Sequence, residues 1–93
     1  AIEGCAEHRI VALDKQIDAA AESLYAQLSS TLGRSRLVTS QARWVARRHA
    51  LCLKASNRYA GGTLAPVAFA NCEVRMDRAR LVALAALTGA SSP

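Results

Sequence analysis

"QARWVARRHALCLKASNRYAGGTLAPVAFANC", residues 41–72, is the stretch on which the fold turns. A tryptophan, three arginines and a cysteine recur there at helical spacing, followed by a glycine pair, a proline and a second cysteine. Such a stretch suits a nucleic-acid surface, a metal site or a stapled helical hairpin. Cys52 and Cys72 lie ten residues to either side of Gly62, the centre of the glycine break. In an antiparallel hairpin about that centre, positions summing to 124 face each other. That register sets Cys52 opposite Cys72, Leu51 beside Glu73, Arg47 opposite Asp77 and Trp44 opposite Arg80. A Cys52–Cys72 disulfide closing this loop would stabilise the fold by roughly 3 kcal/mol in the chain-entropy picture. The alternative is two unrelated buried thiols, each acting as a small apolar side chain. No metal is expected, because the chain has no Cys-x-x-Cys motif and His8 and His49 are far apart. His49 reads as a surface or boundary residue.

Apolar residues at helical spacing extend the pattern on both sides. Ile10, Leu13, Ile17, Leu24 and Leu28 share one stripe with Ala20 and Ala21 in its middle, which predicts a first helix over about 5–31. "SSTLG" then ends it, with Gly33 as the expected left-handed stop. A second helix is predicted over 35–57 with Ser35 as N-cap, its inner face reading Leu37/Val38, Gln41, Trp44/Val45, Arg48, Cys52 and Ala55. A third is predicted over 64–88, with Thr63 as cap and Pro66 tolerated in the first turn. Its stripe is Val67, Ala70, Val74, Leu81 and Leu84, flanked by Phe69, Met76, Ala83 and Leu87, and residues 89–93 are expected to fray. No period-2 alternation, internal repeat or linker interrupts this pattern. The expected fold is therefore all-α: one small antiparallel three-helix bundle over 1–93, with a disulfide-stapled helical hairpin.

Composition agrees with helices and limits the core. Twenty of 93 residues are alanine and only four are aromatic, so the core is thin and a covalent staple is useful. The formal charge of +5 favours anionic partners. The longest apolar run, "LVALAAL" at 81–87, is far short of the roughly 18 residues a membrane span needs. The chain opens on "AIEGC" without an initiator Met or a signal-like segment, as in a processed secreted protein or a trimmed chain. Three cysteines leave one over if two pair, so Cys5 is a candidate for a cysteine outside this chain.

Gln41 and Arg48 are the unusual members of the inner stripe of the second helix. An inward guanidinium needs an acceptor, because an unpaired buried charge is costly, and Asp14 or Asp18 of the first helix is placed to supply one. Structural bracing is accordingly the expected role of Gln41, Trp44, Arg48, Arg80 and Asp14.

These residues resemble a known family. "QARWVARRHALC" is similar to the Gln-x-x-Trp-x-x-x-Arg-x-x-x-Cys signature of LprI-like lysozyme inhibitor domains, and "GGTLAPVAFANCEVRMDRARLVAL" resembles the Gly-Gly-(x)3-Pro-(x)5-Cys segment that follows it. The matching positions are Gln41, Trp44, Arg48, Cys52, Gly61, Gly62, Pro66, Cys72, Arg80 and Leu84. "CAEHRIVALDKQID" is similar to the family's N-terminal Cys followed nine residues later by an Asp, here Asp14. The chain departs from the pattern at His49, where an Asp is usual, and at Asp77, where a Thr is common. A tyrosine usual on the first helix is displaced to Tyr25, and the cysteine that often precedes the one matched by Cys5 is missing.

The resemblance implies a small helical protein of the bacterial envelope, periplasmic, secreted or lipid-anchored, that inhibits lysozyme or a related peptidoglycan hydrolase by binding it. The same reading covers an immunity factor against a delivered hydrolase toxin. The candidate contact is the loop Asn57, Arg58, Tyr59, Gly61, Gly62 and Thr63, where Arg58 offers a fork of donors and Tyr59 an anchor. The competing reading is a basic module for an anionic glycolipid or polymer, using Arg34, Arg36, Arg43, Arg47, Lys54, Arg58, Arg75 and Arg78 as outward stripes. Nucleic acid is not expected, since one tryptophan alone interleaves those cations and no nucleic-acid motif is present. No triad, carboxylate pair, phosphate loop or cofactor motif stands out, so neither catalysis nor a cofactor is expected.

Overall fold

The computed structural model describes the backbone of residues 2–60 and 62–90, and the side chains of 7–60 and 62–87. Three helices follow one another: α1 (Ile2–Gln27), α2 (Thr31–Asn57) and α3 (Leu64–Ala90), with no strand among the described residues. At 1.5 Å per residue each is about 40 Å long, in keeping with a principal extent of 48 Å. α3 is the shared element: it packs along both α1 and α2, which scarcely touch each other.

The first turn differs from the sequence expectation in a way that has a physical cause. α1 ends at Gln27 and α2 begins at Thr31, so Gly33 lies inside α2 and does not stop α1. Ser30, in extended conformation, is the N-cap, and its Oγ accepts from the Gly33 amide at 2.9 Å. A Cβ on Gly33 would meet that Oγ at 2.9 Å, so the glycine makes room for the cap. Ser35, the expected cap, is an exposed residue of α2. The last carbonyls of α1 need no glycine because a side chain satisfies them. Arg34 Nε donates to Leu28 O at 2.8 Å and Tyr25 O at 3.2 Å, and its guanidinium lies 4.8 Å over the Tyr25 ring. Arg34 is therefore a cap for α1 and not part of an outward stripe.

The apolar core is small and lies toward the α1–α2 turn. Ile17, Leu24, Leu37 and Leu84 are buried together, with Ala20, Ala21, Leu28, Trp44 and Leu81 packed against them. The predicted stripes of α1 and α3 supply most of this set. Val38 and Val45, expected on the inner face of α2, are instead about half exposed at 58% and 48%; of each alternative, Leu37 and Trp44 turn inward. Ala83 and Leu87 of the predicted α3 flank are also exposed. α3 continues through Gly89 and Ala90, where fraying was expected, and residues 91–93 lie outside the described residues.

Toward the other turn the core gives way to a disulfide between Cys52 and Cys72, with Cα atoms 5.3 Å apart. Cys52 is wholly buried, and Ala70 and Val74 are buried on the same helix as Cys72. The staple thus joins α2 to α3 where small side chains provide little apolar area. With a sequence separation of 20, its removal in a Cys52→Ser/Cys72→Ser variant should lower unfolding stability by about 3 kcal/mol. Urea denaturation of oxidised, reduced and double-variant protein measures this, and equal midpoints would refute it.

Candidate functional site

Between the apolar core and the disulfide lies a charged layer. Arg48 shares the inward stripe of α2 with Trp44 and Cys52, so its side chain enters the space where all three helices meet. Its Nη1 donates to Asp14 Oδ1 of α1 at 2.9 Å and to Asp77 Oδ1 of α3 at 2.8 Å. Its Nε lies 3.6 Å from Glu73 Oε2, one turn along α3 from Asp77. The guanidinium also sits 4.8 Å over the Trp44 ring. Burial by itself lowers the pKa of Arg48, but the bond to Asp77 and the charges of Asp14 and Asp77 outweigh it, so the net shift is upward and the group stays cationic.

Asp77 is the most constrained member. It is a wholly buried carboxyl whose Oδ1 accepts from Arg48, while Oδ2 meets no donor. A protonated Asp77 removes that buried charge and can donate to the neighbouring Asp14 side chain. Burial first, and then hydrogen bonding to Asp14, push Asp77 up to about 7 against the opposing pull of Arg48.

A second polar set lies beside Trp44. Arg80 Nε donates to Gln41 Oε1 at 2.7 Å and Arg80 Nη2 to Ser40 Oγ at 3.0 Å. The Arg80 guanidinium is 5.9 Å from the Trp44 ring centre. Both acceptors are neutral, and burial lowers the Arg80 pKa.

The structure thus brings Asp14, Gln41, Trp44, Arg48 and Arg80 into one connected set. One of the predicted pairs changes: Asp77 meets Arg48 and not Arg47, and Glu73 also lies within reach of Arg48. The hairpin register holds for inward positions only, and Arg47 lies about 100° around the helix from Arg48. Asp14, not Asp18, is the α1 partner; Asp18 is exposed. His49 is exposed and meets Phe69 edge-on at 6.0 Å between ring centres. Among the described residues no cluster of His, Cys, Asp and Glu is placed to hold a metal. The side chain of Cys5 and the whole of Gly61 lie outside the described residues.

Asp77 and Glu73 were not among the expected brace residues, although the signal was present. Ala70, Val74, Asp77, Leu81 and Leu84 follow one another at spacings of four and three, so an acid occupies an inward position of an apolar stripe. An inward arginine on the neighbouring helix is its natural complement.

The fold and this layer define a class: a disulfide-stapled three-helix hairpin protein organised around one arginine held by carboxylates from both neighbouring helices. The chain belongs to the family described as "Lysozyme inhibitor LprI", whose model matches residues 1–84. That family supports a lysozyme-inhibitor role in general, exercised in the envelope through a protein partner rather than by catalysis. Neither the curated proteins nor the solved structures contain a significant match to the chain. Among the described residues, no helix is long and apolar enough to cross a membrane.

The charged layer has a pH signature. The carboxyl of Asp77 titrates near 3.8 in an unfolded chain and at about 7 when folded, so between those values the folded state holds a proton that the unfolded chain has lost. Stability from this group therefore falls as pH rises from about 4 to about 7. Wild-type protein should melt about 5 °C or more lower at pH 8 than at pH 5.5, because 1 kcal/mol moves Tm by about 4–8 °C at this size. Asp77→Asn keeps an acceptor for Arg48 and a donor for Asp14 without ionising, and should flatten that difference. An equally steep pH profile in the variant would show that another group is responsible. Arg48→Ala should cost about 3–5 kcal/mol at neutral pH, since it strands the buried Asp77; a loss under 1 kcal/mol by urea denaturation would contradict this.

Proposed function

We propose that the protein is a non-enzymatic inhibitor that binds a lysozyme-type peptidoglycan hydrolase in the bacterial envelope. The observation that carries the reading is the family match over residues 1–84 of 93. The contact we assign is the hairpin tip at 57–63. Arg58 and Tyr59 are exposed there, Tyr59 by 45%. Three backbone bonds shape the turn, Tyr59 N to Ser56 O, Ala60 N to Asn57 O, and Gly62 N to Tyr59 O at 2.9 Å. A Cβ on Gly62 would approach Tyr59 O at 3.2 Å, so a bare backbone suits the bend. Below the tip, the Cys52–Cys72 bridge ties the two helices together, which limits the ordering cost of binding.

Lysozyme-type hydrolases cleave glycosidic bonds with two carboxyl groups across a cleft. Arg58 at the tip offers the fork of donors that such carboxylates accept, and a seated tip excludes the glycan. The net charge of +5 makes a neutral or acidic hydrolase a better electrostatic match than a strongly basic one. A hydrolase delivered by a competing bacterium is such a target, and the protein then serves as its immunity factor.

Purified protein at micromolar concentration should slow cell-wall lysis by at least one of the chicken-type, invertebrate-type, goose-type or bacterial-toxin hydrolases. Lysis unaffected in all four would end the inhibitor reading. The Arg58→Ala/Tyr59→Ala variant should inhibit about tenfold less well or worse, as expected for an aromatic and arginine anchor, at unchanged Tm. Full inhibition by that variant would move the contact away from the tip.

A further inference from the structure

The charges on α2 are strongly one-sided. Its 27 residues include five arginines and a lysine but no aspartate or glutamate. Among the described residues every ion pair is made by Arg48, which takes Asp14, Glu73 and Asp77 to itself. Among the described residues, the remaining arginines of α2 thus have no carboxylate partner; Arg34 caps α1, and the others are exposed. Three of them fall on one face. Arg36, Ser40, Arg43 and Arg47 follow at spacings of four, three and four, a line about 16 Å long at 1.5 Å per residue.

This line forms one wall of a groove of about 550 Å³, and Arg80 of α3 and the edge of Trp44 complete it. The volume lies in the range of small-ligand sites. Ser35 and Thr39 add hydroxyls, and no acidic residue lines the groove. Arg80 distinguishes it from an ordinary solvated basic face. Its guanidinium is partly desolvated and held by Gln41, Ser40 and the Trp44 ring, yet every one of these partners is neutral. A held, desolvated cation without a counter-charge is poised for an external anion, and its ordering cost has already been met by the fold. Nη1 of Arg80 is left unused by those bonds.

We propose that the groove formed by Arg36, Arg43, Arg47, Arg80, Ser40 and Trp44 is a binding site for a saccharide that carries two phosphate groups. Phosphate monoesters hold a charge of about −1.5 to −2 near neutral pH, so two of them balance the four arginines. Guanidinium forks match phosphate oxygens in bidentate geometry, and a line of about 16 Å accommodates two such groups with a sugar unit between them. The serine and threonine hydroxyls and the indole edge suit the sugar between the phosphates. The groove is concave and set back from the hairpin tip: Arg47 is ten residues short of Asn57, about 15 Å along α2. The proposal therefore does not depend on inhibition at the tip.

Trp44 is the chain's only tryptophan, so its fluorescence reports on the groove directly. Titration of the full chain with a bisphosphorylated glucosamine disaccharide should give a saturable change, and the dephosphorylated disaccharide should give none. Arg43→Gln and Arg47→Gln, at exposed positions, should each weaken binding by about tenfold, the loss of one charge-assisted contact, with unchanged circular dichroism. Arg75→Gln, on α3 outside the groove, should bind as wild type does. The proposal is overturned by a flat titration, by groove variants that bind like wild type, or by equal loss in the Arg75 variant, which would mean binding to net charge alone. A short single-stranded oligonucleotide that binds as tightly as the disaccharide would also overturn it, in favour of nucleic acid. Lysis assays on the same variants separate the two ideas: Arg43→Gln and Arg47→Gln should inhibit the target hydrolase as wild type does.

Discussion

The structure depends on what is done with one positive charge. Arg48 points into a layer, next to the apolar core, where all three helices meet, and a guanidinium there must be paired or the bundle cannot close around it. Asp14 brings α1, Asp77 and Glu73 bring α3, and Trp44 lays its ring against the same group from α2. A bundle rich in alanine has little side-chain relief with which to select one register, and short apolar side chains slide past each other at low cost. The hydrogen bonds of Arg48 are directional and lose their energy within about an ångström of displacement. They therefore set the register that the apolar stripes only permit. The disulfide holds the same two helices on the far side of the layer, so α2 and α3 are aligned at two heights.

Satisfying Arg48 has a consequence for the surface. The chain has seven carboxylates, and three are turned inward to a single arginine. α2 has none of its own, and among the described residues its outward cations have no carboxylate partner. The net charge of +5 is thus not spread evenly; a large part of it is concentrated along one face of one helix, beside a held arginine whose acceptors are neutral. Internal ion pairing and external charge are two results of one distribution of acids.

Asp77 adds a cost within the brace. Its second oxygen has no donor, so the layer is easiest to bury when Asp77 carries a proton. A bundle of this kind is more tightly held on the acid side of neutrality. The hairpin tip lies beyond the disulfide, on the side away from the titrating layer.

Much of this was legible in the sequence because helices and hairpins are local objects. Periodicity located the three helices, and the symmetry of Cys52 and Cys72 about Gly62 named the disulfide before any coordinates. The inwardness of Arg48 followed from its place on a stripe with Trp44 and Cys52. Tertiary structure alone decided which carboxylates reach it, because a one-residue difference between Arg47 and Arg48 rotates a side chain by about 100°. It also decided how α1 ends. A glycine stop is a local signal, whereas Arg34 reaches back across the turn to the last carbonyls of α1, leaving Gly33 free to sit under the Ser30 cap. The groove beside Trp44 was invisible for the same reason: its arginines are apparent in the sequence, but the neutrality of everything that holds Arg80 is not. Local pattern determined the helices and their staple; the pairing of charges across helices, which depends on direction as well as distance, belonged to the tertiary structure.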